Sequence, residues 1–184
     1  GAAVVDGAVE EQGRVEEVEH PLAELARRFP MYEVLRCLEA HVAAELGREQ
    51  QARAELSALA ADRFSTLPRN DDWLFSLCLL VDASRALREA THASALYELL
   101  LPYAERTAVN PPAACIGSVS RSLAVAAALT EQWSEAERHF EDALRANSRM
   151  GARPWVVRTC VDWAEALLGR AGPGDPERAA ELLA

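Results

Sequence analysis

The stretch that decides the fold is GSVSRSLAVAAALTEQWSEAERHFEDALRANSRM, residues 117–150. Ala124 is followed after twelve residues by Ala136 and after four more by Phe140. Small residues at matched points of two successive helices let the helices approach closely, while the bulky residue packs into the neighbouring pair. Three further sets recur about every 41 to 43 residues, and they are Ala40/Ala52/Leu56, Ala83/Ala95/Leu99 and Ala164/Ala179/Leu183. The spacing predicts a stack of helical hairpins.

The composition favours helices throughout the chain. Half of the 184 residues are hydrophobic although only 6% are aromatic, and alanine and leucine supply most of this apolar content. Residues of this kind favour helices, whereas β-branched and aromatic residues favour sheets. The β-branched and aromatic residues of this chain are sparse, and they never alternate with polar residues over a stretch long enough to indicate a strand. We therefore expect an all-α protein, an α-α solenoid, with almost no strand.

The pattern divides the chain into one domain preceded by a short segment. Residues 1–14 read as a flexible N-terminus, and its Gly-Ala-Ala start resembles a tag remnant. A single helical repeat domain is expected over 15–184, and the last hairpin is expected to be truncated because its helical pattern is still running at residue 184. The chain is thus expected to be a fragment of a larger protein. The predicted units are a lead helix at 15–29 and hairpins at about 31–66, 72–109, 113–150 and 154–184.

Several local signals predict how the helices begin and end. Gly47 suits the left-handed position that closes a helix. One of the aspartates Asp71 and Asp72 is placed to cap the helix that Trp73 opens. In residues 134–137, a serine and a glutamate have the spacing of a capping box. The sequence GSVSR at residues 117–121 superficially resembles a phosphate-binding segment. Because it lies at the start of a repeat helix, we interpret it as a cap as well.

Charge excludes several functions. The net charge is −10 and the pI is about 4.9, which argues against direct nucleic-acid binding, since that needs clustered cations. All 19 basic residues are arginine, so the lysine-containing loop that cradles nucleotide phosphates cannot occur. The sequence shows neither an apolar run of membrane-spanning length nor a signal peptide. We therefore expect a cytoplasmic protein without a cofactor and without membrane association.

No pattern indicates catalytic or metal-binding chemistry. The histidines lack the paired spacing of a zinc site, and no local motif supplies a base for a cysteine nucleophile. The cysteines lie far apart, so we expect reduced, buried thiols. The tryptophans are interpreted as packing anchors. The residues concerned are His20, His41, His92 and His139; Cys37, Cys78, Cys115 and Cys160; and Trp73, Trp133, Trp155 and Trp163.

The third hairpin resembles the tetratricopeptide repeat, which implies a right-handed superhelical stack of helix-turn-helix units. Gly47 falls at the family's turn glycine, and Glu131 stands at that place in the third repeat. Val125 stands where the family's carboxylate clamp has asparagine, which argues against a terminal-carboxylate peptide as ligand. The family's small, aromatic, small, aromatic and small positions are occupied in the third hairpin by Ala124, Trp133, Ala136, Phe140 and Ala143.

A narrower resemblance covers residues 70–109 and 117–183. These stretches resemble the C-terminal repeat regions of large actinobacterial signalling ATPases of the STAND or AAA type. In those proteins the ATPase is often preceded by a nucleotide cyclase domain or followed by a LuxR-type DNA-binding domain, and it carries a helical repeat sensor. The resemblance implies a regulatory segment that acts on neighbouring domains in signal transduction or transcriptional regulation.

Three arginines are the main candidates for a binding site. In tetratricopeptide arrays the first helix of each hairpin lines the concave groove, and the register places Arg88, Arg121 and Arg158 there. Their guanidinium groups could hold a carboxylate or a phosphate. The alternative is that they pair with internal acids such as Glu45 or Glu165. If they bind a ligand, Arg121→Ala should weaken binding without lowering thermal stability.

The leading functional hypothesis is a non-catalytic interaction or sensor module that binds a protein, a peptide or a small anionic effector in the groove. Further groove candidates on the first helices are His41, Glu45 and Ser84. A homo-oligomerisation module, in which end repeats stack between chains, is the second hypothesis. The third is an all-α enzyme, which would need acids, histidines or thiols clustered inside the hairpins.

Overall fold

The computed structural model describes residues 15–111 and 114–184, with the side chains of residues 15 and 16 left aside. The protein is mostly helical, at 72%, with nine α-helices and two short strands in this part of the chain. The all-α expectation is thereby confirmed at the level of helical content. The predicted flexible segment at 1–14 lies outside the described residues.

The helices follow the predicted hairpins closely, and the lead helix ends one residue before its predicted end. A short turn with left-handed backbone angles, Ala61–Phe64, follows α3, and a short 3₁₀ turn, Leu101–Tyr103, follows α5. The elements are α1 Val15–Arg28, α2 Glu33–Glu45, α3 Glu49–Leu59, α4 Trp73–Ala86, α5 Ala93–Leu100, β1 Thr107–Asn110, β2 Ala114–Ser118, α6 Val119–Leu129, α7 Trp133–Arg149, α8 Arg153–Arg170 and α9 Asp175–Leu182.

Each helix packs mainly on its neighbours. The pairs α2 with α3, α4 with α5, α6 with α7 and α8 with α9 form four hairpins, and the first helices α2, α4, α6 and α8 contact one another in succession. The alanines that open the four repeat sets are all buried on these first helices: Ala40, Ala83, Ala124 and Ala164. Small side chains at these points let the backbones of successive first helices approach closely.

The second helices follow the repeat less regularly. Ala52, Ala136 and Ala179 are buried as expected, but in the second hairpin Ala95 and Leu99 are only half-buried. There the inward face of the eight-residue helix α5 consists of Ala93, Leu96 and Leu100 instead. The last bulky position, Leu183, is 57% exposed, so the predicted register is wrong at the second hairpin and at this residue.

The turns after the first helices repeat at the level of the backbone. Gly47 has φ +70°, Arg88 +50°, Glu131 +59° and Ala171 +53°. In the first three turns, the N–H of the left-handed residue and the N–H of the residue after it donate to carbonyls in the last turn of the helix. This is the pattern of a Schellman cap, for example Gly47 to Ala44 and Arg48 to Ala43. The predicted left-handed Gly47 is confirmed, and two charged residues adopt the same conformation in the following units.

A β-hairpin between the second and third helical hairpins departs from the prediction of almost no strand. β1 pairs antiparallel with β2, and Ala108 and Ile116 turn inward. The strands are four and five residues long, too short for alternation to be visible in the sequence. On α7, the side-chain oxygen of Asn147 accepts the N–H of Ser118 at 3.0 Å and ties the strand to the helices.

Only one of the predicted side-chain caps forms. Ser118 caps α6 by accepting the N–H of Ser120 at 3.2 Å. Asp72 precedes α4 but makes no capping bond, because its carboxylate accepts the side-chain amide of Asn110 at 2.6 Å. The capping box at 134–137 is also wrong, since α7 already begins at Trp133 and so includes both residues.

The four cysteines are free, as expected, but their burial differs. Cys37 and Cys78 are buried on α2 and α4, Cys160 is half-buried on α8, and Cys115 on β2 is exposed. The expectation of buried thiols thus holds for two of the four. In the described part of the chain, none of the helices combines the length and apolar character needed to cross a bilayer.

We predict that Gly117→Ala destabilises the protein by about 2 kcal/mol. Gly117 has φ +77°, and a Cβ built there would lie 2.8 Å from Cγ of Trp155. The matched control is Gly169→Ala on α8, where an added Cβ meets nothing within 4 Å and helix propensity favours alanine. Urea denaturation of both variants measures the difference, and equal stabilities would contradict the close packing of β2 on α8.

Candidate functional site

A buried ion pair lies at the centre of the helical stack. Arg121, in the first turn of α6, is fully buried. Its Nη1 donates to Oδ2 of Asp162 on α8 at 2.6 Å, and its Nη2 donates to Oδ2 of Asp82 on α4 at 2.7 Å. One guanidinium group therefore joins the first helices of three successive hairpins.

Two more arginines extend this pair to the first hairpin. Arg85 on α4 donates to Glu45, at the end of α2, at 2.7 Å and to Glu165 at 2.9 Å. Arg158 donates to Asp162 at 3.1 Å and lies 3.8 Å from Glu45. Three guanidinium groups and four carboxylates thus connect α2, α4, α6 and α8. We call this the buried ion network after its buried centre, Arg121 with Asp82 and Asp162. The half-buried Glu45, Arg85 and Arg158 and the exposed Glu165 complete it.

The network holds Asp82 and Arg121 in the charged state. Burial opposes ionisation of Asp82, but the charge and hydrogen bond of Arg121 hold the pKa of Asp82 well below its usual range. Burial likewise opposes the charge of Arg121, and the two aspartates raise the pKa of Arg121 above its ordinary value. Neither group exchanges a proton near neutral pH, so this pair is suited to holding helices together and unsuited to acid–base catalysis.

The three candidate arginines do not converge on one surface. Arg121 is buried with internal partners, so its expected exposure to the groove is wrong. Arg158 pairs with Asp162 and Glu45, which confirms the alternative of internal pairing for this residue. The predicted register places Arg88 on the first helix, but α4 ends at Ala86. Arg88 is therefore exposed in the turn that follows the helix.

The remaining candidates belong to the interior as well. Glu45 is part of the buried ion network. His41 on α2 is buried, and after Arg121 and Arg158 it is a smaller cause of the lowered pKa of Asp82. Ser84 is buried and its hydroxyl donates to the carbonyl of Leu80 one turn earlier, a common bond of serine within helices. Arg85, which the sequence reasoning did not single out, lies on α4 and pairs with Glu45 and Glu165.

A groove of about 740 Å³ opens beside the network, at the ends of α4, α6 and α8. Arg85 and Glu165 of the network form part of its wall. Apolar side chains form much of the rest, and the rim residue Leu168 on α8 is 55% exposed. The groove is defined here by this wall together with Val125, Leu129, Trp133, Arg88 and Glu131.

Two charged residues of the groove lack an internal partner. Among the described residues, nothing forms a hydrogen bond or ion pair with the side chain of Arg88 or of Glu131. Both residues belong to the left-handed turns that follow α4 and α6, so they occupy equivalent places in successive hairpins. The sequence carried one signal of this, since Glu131 stands where the tetratricopeptide pattern has glycine.

A second polar cluster joins α5 and α7. Nε2 of His139, a buried residue, lies 3.1 Å from the hydroxyl of Tyr97 and 3.1 Å from Nη2 of Arg138. Arginine can only donate, so Nε2 is the acceptor and the histidine is neutral. Burial first, and then the charge of Arg138, lower the pKa of His139, while Glu135 and Asp142 oppose this. The cluster keeps an uncharged imidazole between two helices.

Two of the thiols are poorly suited to act as nucleophiles. Burial raises the pKa of Cys37 and of Cys78 to about 12, which keeps both thiols protonated and poorly nucleophilic. In the same part of the chain, no three histidine, cysteine, aspartate or glutamate side chains are grouped so that they could hold a metal ion.

The comparisons with known proteins give no match: no family model, no curated protein and no solved structure matches this chain. A functional assignment therefore depends on the residues and their geometry. The groove, with its two unpaired charges, is the strongest candidate for a binding site.

We predict that Arg121→Ala lowers the free energy of unfolding by about 3–5 kcal/mol, because it leaves two buried carboxylates without a partner. This reverses the effect expected from a groove arginine. The control is Arg145→Ala on α7, where an exposed guanidinium pairs with Glu141 at 3.8 Å and also with Asp142, and where the loss should stay below about 1 kcal/mol. Urea denaturation compares the two, and a loss for Arg121→Ala as small as that of the control would contradict the network.

We also predict that His139 makes stability depend on pH. Its pKa in the folded protein lies below that of an unfolded histidine, about 6.5, so the unfolded chain binds more protons. The contribution of neutral His139 is therefore complete above that value and is lost as the pH falls towards the folded pKa. His139→Gln should reduce the fall in stability between about pH 7.5 and pH 5.5. The matched control is the exposed His20→Gln, and identical pH profiles for the two variants would disprove the assignment to His139.

Proposed function

We propose that this chain is a non-catalytic, partner-binding module, a tetratricopeptide-like stack of helical hairpins that binds a peptide segment of another protein in its groove. The proposal depends on a contrast between two neighbouring sets of charges, those of the buried ion network and those of Arg88 and Glu131 in the groove. Each arginine and each acid of the buried ion network has an oppositely charged partner, whereas Arg88 and Glu131 face the groove with no partner among the described residues.

The shape and lining of the groove support binding. Its volume of about 740 Å³ falls within the range of ligand pockets, about 300–1,000 Å³. Apolar side chains such as Val125 and Leu129 offer area for hydrophobic contact, and a small number of charged groups offer orientation. A groove built by successive helical hairpins is the usual binding surface of repeat proteins.

The charges favour a peptide over a small anionic effector. Arg85 also lines the groove, but its guanidinium already pairs with Glu45 and Glu165. Arg88 is thus the single uncommitted cation of the groove as described, and it is accompanied by the uncommitted acid Glu131. A phosphate or carboxylate ligand would meet one free guanidinium beside several acids, which is a poor anion site.

In the proposed function, the module belongs to a larger bacterial regulatory protein. The support is the resemblance of residues 70–109 and 117–183 to the repeat regions of signalling ATPases. A partner in the groove contacts α4, α6 and α8, the helices that the buried ion network holds together. Binding that favours one packing of these helices would shift the population of conformations presented to a neighbouring domain.

We predict that Leu168→Arg, at the rim of the groove, weakens peptide binding at least tenfold. The probes are peptides selected from a random phage-displayed library on the immobilised wild-type chain and then measured by isothermal titration calorimetry. A charged side chain at Leu168 projects over the groove and removes apolar contact. Because Leu168 is already 55% exposed, the thermal midpoint should not change.

The matched control is Val157→Arg. Val157 lies on the same helix α8, is 63% exposed and is not part of the groove lining. Peptides that bind wild type and Val157→Arg equally but lose affinity for Leu168→Arg would support the proposal. If the library yields no peptide with this dependence, the proposed function is wrong.

A further inference from the structure

The turn residues Arg88 and Glu131 occupy a conformation that suits glycine. Each has a positive φ in the turn after a first helix, +50° for Arg88 and +59° for Glu131. A residue with a Cβ pays a steric cost there that glycine avoids. The first hairpin shows the unstrained solution, since Gly47 takes the same place with φ +70°.

Neither side chain returns this cost through contacts inside the protein. Arg88 and Glu131 are both exposed, and within the described residues their side chains make no hydrogen bond or ion pair. Strained residues that contribute no internal contact occur preferentially at functional sites. Both side chains line the groove, which gives them a common role outside the folding of the chain.

The charges of the pair define what it can recognise. Arg88 offers donors for a carboxylate, and Glu131 offers acceptors for an ammonium or guanidinium group. The groove also receives the carboxyl-terminal ends of α4, α6 and α8, whose partial negative charge disfavours a polyanion, while the amino-terminal end of α7 lies next to Glu131. Apolar residues of α6, including Leu129, complete the lining beside this pair.

We infer that Arg88 and Glu131 determine which peptides bind, by selecting a segment that carries both an acidic and a basic side chain. The acidic group pairs with Arg88, the basic group pairs with Glu131, and an apolar side chain of the peptide packs on Leu129. This inference rests on the proposed function and adds the chemistry of its partner. A polyanion would face Glu131 and the helix ends unfavourably, and a purely basic peptide would meet Arg88.

Glycine substitutions separate the cost to folding from the gain in binding. Arg88→Gly and Glu131→Gly should each raise the thermal midpoint by about 2 °C, because they relieve the positive φ. Each should also weaken the binding of library-selected peptides at least fivefold. The matched control is Ala171→Gly in the last hairpin, which has φ +53° but does not line the groove. It should raise the midpoint similarly and leave affinity unchanged.

Exchanging the charges of Arg88 and Glu131 tests whether these residues pair with the charged side chains of the peptide. Selection on the double variant Arg88→Glu/Glu131→Arg should return peptides in which the order of the acidic and basic residues is reversed relative to those selected on the wild-type chain. Peptides selected on either protein should bind the other at least tenfold more weakly. Both selections are measured by titration with synthetic peptides.

The outcomes distinguish this inference from the proposed function. Peptides that depend on Leu168 but bind equally to the wild type and to the glycine and exchanged variants would overturn the specificity role and leave the binding groove standing. Failure to obtain any Leu168-dependent peptide would overturn both. Selection of peptides without paired opposite charges would also contradict the inference.

Discussion

The bonds from Arg121 to Asp82 and Asp162 are the interaction on which the rest of the structure depends. Taking these charges out of water costs several kcal/mol for each ion, and it is tolerated because every charge finds an opposite one. The pairing admits one relative position of α4, α6 and α8, since a shift of either neighbour would leave a buried ion unpaired. Apolar contacts between alanine-rich helices are less selective, because small side chains slide past one another at little cost. The buried charges therefore add register to the close packing that the alanines allow.

This arrangement decides which charges remain for a partner. Arg85 and Arg158 complete the network with Glu45 and Glu165, so the most conspicuous arginines of the first helices are committed inside the chain. The uncommitted charges then lie at the ends of the helices, in the turns. In the proposed function, a ligand would meet a wall that is already ordered, because Schellman hydrogen bonds hold the turns. The two sets of charges are neighbours and overlap only in the groove wall, which Arg85, Asp162 and Glu165 of the network also line.

The sequence predicted the helical hairpins well because the alanine spacing records close packing of first helices, which is a local and repeated requirement. It predicted the site poorly. Arg88, Arg121 and Arg158 looked equivalent in spacing, yet their environments differ by where each helix ends and by which acids the neighbouring helices supply. The ion-pair partners are about 40 positions apart in the sequence, and the helix ends depend on backbone conformations that the residue types do not indicate. The two-stranded sheet at Thr107–Ser118 was missed for a related reason, since its strands are too short to show alternation and are held by contacts such as that from Asn147.

The repeat is most regular in its backbone and least regular in the residues of its turns. Gly47, Arg88, Glu131 and Ala171 share a left-handed conformation, yet they are glycine, a cation, an anion and a small apolar residue. If folding alone had determined these positions, glycine would be the best choice at all four. The two that depart from it with charged side chains are the two that line the groove. In an array whose first helices are fixed by internal ion pairs, these turns are places where a charge can change without disturbing the stack. In the proposed function, variation of the turn residues with the buried network unchanged would therefore be the simplest route to a different partner.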